Sequence, residues 1–201
     1  MGWGIIMESN FKAIILPEDK APQEADKYKQ CEVYAQNPRI IWGEGNPKAP
    51  IVVILDNPGE REDKGGNEYI CGTRQTLQRA IHEVGLDLDD IYITYLLKCR
   101  PLHKYDKKRA RAFSKPFLIR QVEDIDPKFI ACLGDTVIQS IFNDEDAHVK
   151  NLRGSWHMVM GYPSIISYHP LAVRRRPNLM NHFMEDWEML SQGFLDEMGD
   201  R

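Results

Sequence analysis

The feature that most constrains this chain is an alternation. Short, wholly apolar runs of strand length are separated by longer stretches with helical spacing. Ile51-Val-Val-Ile-Leu55 is the first such run, and Asn57-Pro-Gly59 ends it in a turn. From Thr73 to Val84 the apolar residues Leu77, Ala80, Ile81 and Val84 share one helical face, with Gly85 as the stop. Ile91 to Leu97 reads as a second strand. Asp106 to Ile125 reads as helical with a break at Ser114–Pro116, because proline suits a first helical turn. Phe129 to Leu133 is a third strand, followed by a helix from Asp135 to Phe142. His157 to Met160 and Ser164 to Tyr168 form a strand pair around Gly161-Tyr-Pro163, and Pro177 to Leu190 is a last amphipathic helix. Strands that are apolar throughout are buried on both faces, and strand–helix–strand order makes parallel sheets. The expected fold class is α/β: a three-layer α/β/α sandwich with a central, mainly parallel sheet.

The 201 residues suffice for one domain with its own core. Residues 1–50, punctuated by Pro17, Pro22, Pro38, Pro47 and Pro50, are expected to be an extension that wraps the domain. Residues 51–192 are expected to form the α/β domain, and residues 193–201 an acidic C-terminal tail. No apolar run approaches the roughly 20 residues of a membrane span, and Met1 to Leu16 lacks the basic start of a signal peptide. The expectation is a cytoplasmic monomer without a membrane partner, nucleoid-associated in a bacterium. Cys31, Cys71, Cys99 and Cys132 contain no CxxC pair, which argues against a zinc ribbon.

A formal net charge of −4 argues against a nucleic-acid partner until its distribution is read. Residues 98–120 hold nine Lys or Arg against one acid, Asp106, a net +8 in 23 positions, so the other 178 residues carry −12. A concentrated basic segment can bind phosphates on an acidic protein. In sheets of this kind ligands sit at the carboxyl ends of the strands. Three chemically rich segments fall there: Asp56 to Asp63, Lys98 to Arg111, and His169 to Arg176.

Read in order, Leu55-Asp-Asn-Pro-Gly59, Gly66-Asn-Glu-Tyr69, Ile91 to Pro101, Pro116-Phe-Leu118, Cys132-Leu-Gly134, Leu152-Arg-Gly154 and Ser167-Tyr-His-Pro170 form a series. This series resembles the uracil-DNA glycosylase superfamily, and most of all its family 4 branch, from about Cys31 to Leu190. The resemblance implies a uracil-DNA glycosylase-like fold and a DNA glycosylase that flips a damaged or deaminated nucleotide and hydrolyses its N-glycosidic bond. It implies that Asn57 positions the attacking water and that Asp56 and Glu62 fall on acidic positions of the site. Tyr69 falls on the aromatic that stacks on the flipped base. His169 falls on the histidine that donates to the departing base, as a neutral imidazole N–H can. Arg174, Arg175 and Arg176 fall on a loop that meets phosphates, with Leu171 and Val173 as apolar wedges. Lys98 and Arg100 belong to the basic stretch expected to hold phosphates, and Arg153 is either a further phosphate contact or a structural ion pair.

Two departures from the family pattern stand out. The family 4 iron–sulfur cluster uses four cysteines, and here only Cys31 and Cys99 match. Tyr34 and Ser114 stand at or near the other two places. Two thiolates do not hold a cubane cluster, so none is expected, and packing is expected to replace it. Tyr95 stands where family 4 has the Asn that reads the uracil edge. A tyrosine there either redirects the pocket to another base, such as a deaminated purine, or blocks it. In the second case the chain would be a catalytically weak damaged-DNA or single-strand binder of the same fold.

Overall fold

The computed structural model describes residues 11–63 and 71–199; for Arg61 and Glu62 it describes the backbone only. Six strands form one sheet: β1 (Gly43–Gly45), β2 (Ile51–Leu55), β3 (Ile91–Tyr95), β4 (Phe129–Leu133), β5 (His157–Val159) and β6 (Tyr162–Ser167). Their order is β1-β3-β2-β4-β6-β5, with the inner four parallel and the two edges antiparallel. The helices are α1 (Glu32–Gln36), α2 (Glu60–Asp63), α3 (Gly72–Glu83), α4 (Lys107–Ile125), α5 (Asp135–Phe142), α6 (Val149–Leu152), α7 (Pro170–Arg175) and α8 (Met180–Gly199).

The inner strands are buried throughout, and their side chains divide by parity. Ile51, Val53, Leu55, Ile93 and Tyr95 face a layer containing Leu77 and Ile81 of α3 and Phe183, Trp187 and Leu190 of α8. Val52, Ile54, Tyr92 and Cys132 face Leu118 and Val122 of α4 and Val137 and Ile138 of α5. This is the three-layer sandwich expected from the sequence. It also fixes where a ligand can sit. The chain leaves β2 toward β3 on one side and returns to β4 on the other, so the crevice opens at the carboxyl end of β2.

Three details differ from the sequence reading. Gly43–Gly45 pairs antiparallel with β3 from Gly43↔Thr94 to Gly45↔Tyr92, so the segment before residue 51 completes the sheet as well as wrapping it. α4 runs unbroken through Pro116. A proline there forfeits one backbone bond. The helix holds because Ala110, Ser114, Leu118 and Val122 bury one face and the Ser114 hydroxyl donates to the Leu96 carbonyl. Residues 193–199 continue α8, with Phe194 in the core, in place of a free tail. No helix among the described residues is long and apolar enough to cross a membrane.

Candidate active site

Asp56 and Asn57 leave the end of β2 in a turn that the backbone holds tightly. Leu96 N donates to Leu55 O at 2.8 Å and Leu97 N to Asp56 O at 2.9 Å, extending the β2–β3 ladder to the turn. Asn57 N donates to Asp56 Oδ1 at 2.8 Å, and Asn57 Nδ2 to Pro58 O at 2.9 Å. The chain then enters α2. Arg100 braces that helix, 3.8 Å from Glu60 and 3.7 Å from Asp63, and Asn37 Nδ2 donates to Asp63 Oδ1 at 2.6 Å.

His169 arrives from the other side, two residues beyond β6. It is the N-cap of α7: its Nδ1 accepts the Leu171 N–H at 3.1 Å. In a neutral ring that acceptor role leaves the hydrogen on Nε2, which lies 3.4 Å from Asp56 Oδ1. The ring is seated against Gly134, the glycine that starts α5. Gly134 has φ +99°, and a Cβ on it would come within 3.1 Å of the His169 Cβ. Only glycine meets both demands without strain.

Burial pushes the Asp56 carboxyl up, but its hydrogen bond and charge contact with His169 and the Asn57 N–H outweigh that. The net shift is downward, so the group is a carboxylate near neutral pH. A cavity of about 330 Å³ opens beside this pair, walled by Asn57, Thr73, Tyr95, Leu171, Arg175 and Arg176. A second, of about 460 Å³, shares Asp56, His169 and Arg176 and reaches Asp135 and His148. There His148 Nδ1 lies 3.1 Å from Asp135 Oδ2, and Val149 N donates to Asp135 Oδ1 at 2.8 Å.

The structure thus brings Asp56, Asn57, His169, Tyr95, Arg175 and Arg176 together. Tyr95 is paired in register with Leu55, is 2% exposed, and is among the residues that line the cavity. Arg174 is exposed and lies over Gly72 at the start of α3, where a Cβ would collide with its guanidinium. Glu62 is on α2 but its side chain, and all of Tyr69 with the Gly66-Asn-Glu-Tyr69 motif, lie outside the described residues.

Three sequence expectations are corrected, and the open reading of Arg153 is decided. Lys98 is fully buried and holds no phosphate. Its ammonium donates to Thr94 Oγ1 at 2.6 Å, to Gln121 Oε1 and to Trp42 O at 3.3 Å, and lies 4.9 Å from the centre of the Trp42 ring. Burial holds it well below the ordinary lysine range, against a smaller opposing pull from the Asp19 carboxylate. Arg100 is engaged with α2, as described above. Arg153 is structural: it pairs with Asp186 and Glu185, both at 2.8 Å, while buried Asp186 also accepts from Ser167 Oγ at 2.6 Å and Gly154 N at 3.2 Å. Val173 is a core residue at 1% exposure, not a wedge; Leu171 alone of the two reaches the cavity. Sequence reasoning missed Thr73. Its signal was weak, a β-branched residue in the first turn of an ordinary amphipathic helix.

The sequence profile described as the Uracil DNA glycosylase superfamily matches residues 42–191, three quarters of the chain. The chain belongs to the uracil-DNA glycosylase superfamily. It is 30% identical over 182 residues to a Type-4 uracil-DNA glycosylase of Archaeoglobus fulgidus, covering 87% of this chain and 92% of that protein. A Type-4 uracil-DNA glycosylase of Sulfurisphaera tokodaii is 30% identical over 186 residues, covering 87% and 83%. One of Thermotoga maritima is 28% identical over 181 residues, covering 88% and 94%.

The family 4 resemblance brings a cluster into question, and the residues do not fit one. Cys31 and Cys99 lie in a buried group with Tyr28, Val33, Leu97 and Ala110, flanked by Tyr34, Phe113 and Phe117. The Tyr28 ring packs edge-on to Phe113 and Phe117, and its hydroxyl shares a 3.0 Å hydrogen bond with Ser114 and accepts the Lys98 N–H at 2.8 Å. Ser114 is committed to that network, and of the four ligand places only Cys31 and Cys99 carry a thiol, too few for a cubane cluster.

Proposed function

We propose that this chain is a monofunctional DNA glycosylase that flips a damaged or deaminated nucleotide out of DNA and hydrolyses its N-glycosidic bond. The observation that carries the reading is the convergence of Asp56, Asn57 and the Nε2 of His169 on one cavity at the sheet's switch point. Flipping costs a few kcal/mol of stacking, least at a mismatch. The reaction then develops positive charge on the sugar and negative charge on the departing base.

Each group has a task that suits its environment. The Asp56 carboxylate, kept ionised, faces the developing oxocarbenium charge. His169, its tautomer fixed by the Leu171 N–H, offers Nε2–H to the base as it leaves, exchanging Asp56 for the new acceptor. Asn57 positions the water, and Glu62 is a second anionic helper from α2. Tyr69 stacks on the flipped base. Tyr95 replaces a two-point amide reader by one hydroxyl on a bulky ring, which favours a base other than uracil. Arg175 and Arg176, exposed at the cavity rim, meet the flanking phosphates, and Arg174 lies beside them. The chemistry proceeds without a metal or an iron–sulfur cluster; aromatic packing around Tyr28 takes the cluster's place. The chain acts as a monomer in the cytoplasm.

The test is an excision assay on oligonucleotides carrying uracil, hypoxanthine or xanthine opposite different partners, with iron and acid-labile sulfide measured on the same protein. The expected result is release of at least one free base by colourless protein. Asn57→Ala should slow release roughly 100-fold or more while nearly keeping DNA affinity. Tight DNA binding with no base released by wild type would make the chain a binding protein instead. Stoichiometric iron would overturn the ligand argument.

A further inference from the structure

The strongest positive feature away from the reaction centre is a groove of about 510 Å³ between the first turns of α4 and the second half of α5. Lys107, Lys108, Arg111 and Lys115 line it, with Glu145 as the one acid among its lining residues. Lys107, Arg111 and Lys115 are spaced four apart on one helical face, where like charges oppose folding. Among the described residues their one ion pair is weak. The Lys108–Glu145 contact is 3.4 Å long with side chains 89% and 85% exposed, a solvated pair of little energetic weight. Lys115 donates to Ile141 O at 2.9 Å and Asn143 Oδ1 at 3.1 Å, neutral acceptors at the end of α5 that leave its charge uncompensated.

Arg111 is the most informative of the four. Its Nε is shielded from solvent and has no hydrogen-bond partner among the described residues. A shielded donor without an acceptor is costly unless an acceptor arrives from outside. From Lys107 to Lys115 the helix rises about 12 Å, the span of three to four phosphates on one strand of a B-form duplex.

We propose that this groove is a second phosphate-binding track, which holds the phosphodiester backbone of the substrate DNA beyond the flipped nucleotide. It is separate from Arg175 and Arg176 at the cavity rim, and it rests on the reading of the chain as a DNA glycosylase. The uncompensated cations at four-residue spacing and the shielded, unpartnered Arg111 donor together point to a chain of evenly spaced anions rather than to a single small anion.

The experiment compares wild type with a Lys107→Gln/Lys108→Gln/Arg111→Gln triple variant on duplex and single-stranded oligonucleotides. Affinity is titrated from 50 to 200 mM salt. Three lost contacts should flatten the log K against log salt slope by about 2.7 on duplex and about 2 on single strands. Wild type should then lose roughly 40-fold more duplex affinity than the variant across that range. In steady-state excision the loss should fall on KM and leave kcat unmoved. On a substrate trimmed to a few nucleotides around the base, the two proteins should converge. A Lys107→Gln/Lys108→Gln double variant, which leaves Arg111 in place, should show about two thirds of the slope change and guards against misfolding of the triple. Wild type that binds and cleaves DNA, with variants of unchanged slope, would overturn the track and leave the glycosylase reading intact. Wild type that neither binds nor cleaves any of these DNAs would overturn both.

Discussion

His169 has two jobs at its two ring nitrogens, and substitution can separate them. Nδ1 caps α7 by accepting the Leu171 N–H at 3.1 Å, while Nε2 faces Asp56 at 3.4 Å and, in the proposed reaction, is the donor offered to the leaving base. Losing a cap costs about 0.5–2 kcal/mol of stability, typically about 1. Losing one preorganised donor to a developing anion costs about 2.7–4 kcal/mol of activation free energy, or 100- to 1,000-fold in rate. His169→Ala removes both. Its stability loss is a fraction of the roughly 5–15 kcal/mol that holds a domain together, so the protein remains folded and the rate loss reports chemistry. His169→Asn keeps a strong capping residue but has no donor at the Nε2 position. It should recover most of the melting temperature and none of the rate. Single-turnover excision of the preferred base, paired with thermal denaturation of the same samples, reads the two effects independently. A His169→Asn variant that cleaves at the wild-type rate would refute the argument and leave His169 as a cap alone.

Two further outcomes follow from other parts of the structure. Tyr95→Asn should raise uracil excision roughly 5- to 150-fold, because an amide can satisfy a base edge whose unpaired burial costs about 1–3 kcal/mol, without altering the salt dependence of DNA binding; strong wild-type uracil excision that the substitution leaves unchanged would show that the ring never meets the base. Lys98 titrates well below its ordinary 10.5 in the folded protein because it is buried, so at pH values between its folded and unfolded pKa the unfolded chain binds the extra proton and stability rises with pH. Lys98→Met should flatten the curve of stability against pH there by up to about 1.4 kcal/mol per pH unit relative to wild type, measured by denaturant titration from pH 7 to 10. Parallel curves would show that Lys98 is charged in the folded state.

What the sequence made legible follows from how local each signal is. Ile51–Leu55 and Phe129–Leu133 were readable because burial on both faces demands an unbroken apolar run. β1 was not, because Gly43-Glu-Gly45 carries no pattern. It is held by edge pairing to β3 and by the buried Glu44–Arg74 ion pair, a partner 30 positions away. Lys98 misled for a related reason. It stands next to a basic run and reads as its first member, yet its surroundings come from Trp42, Thr94 and Gln121, on β3, on α4 and just before β1. Asp56, Asn57 and His169 were singled out by the ordered series of motifs and its family resemblance, since the turn at Asp56 or the His169–Pro170 pair alone reads as plain structure. Thr73 and the Asp135–His148 pair were not, since their place at the cavity depends on how α3 and α5 dock.

The same burial changes what the charge count means. Of the nine cations between residues 98 and 120, Lys98 is sealed in the interior, Arg100 is spent on α2, and Arg120 pairs with Asp124 at 3.0 Å on the far half of α4. What remains is Lys104 and a strip on the first turns of α4: Lys107, Lys108, Arg109, Arg111 and Lys115. Beyond about 8 Å at physiological salt the −12 carried elsewhere is largely screened, so an incoming strand responds to the strip and not to the net −4. The acidic remainder has a use at the site itself. Asp56 is held as a carboxylate beside His169, next to the rim cations Arg175 and Arg176. A phosphate that strayed inward would meet that carboxylate and be repelled, whereas an uncharged base would not. In the proposed reaction the division of charge therefore sorts the two parts of a nucleotide, backbone to the rim and base to the cavity.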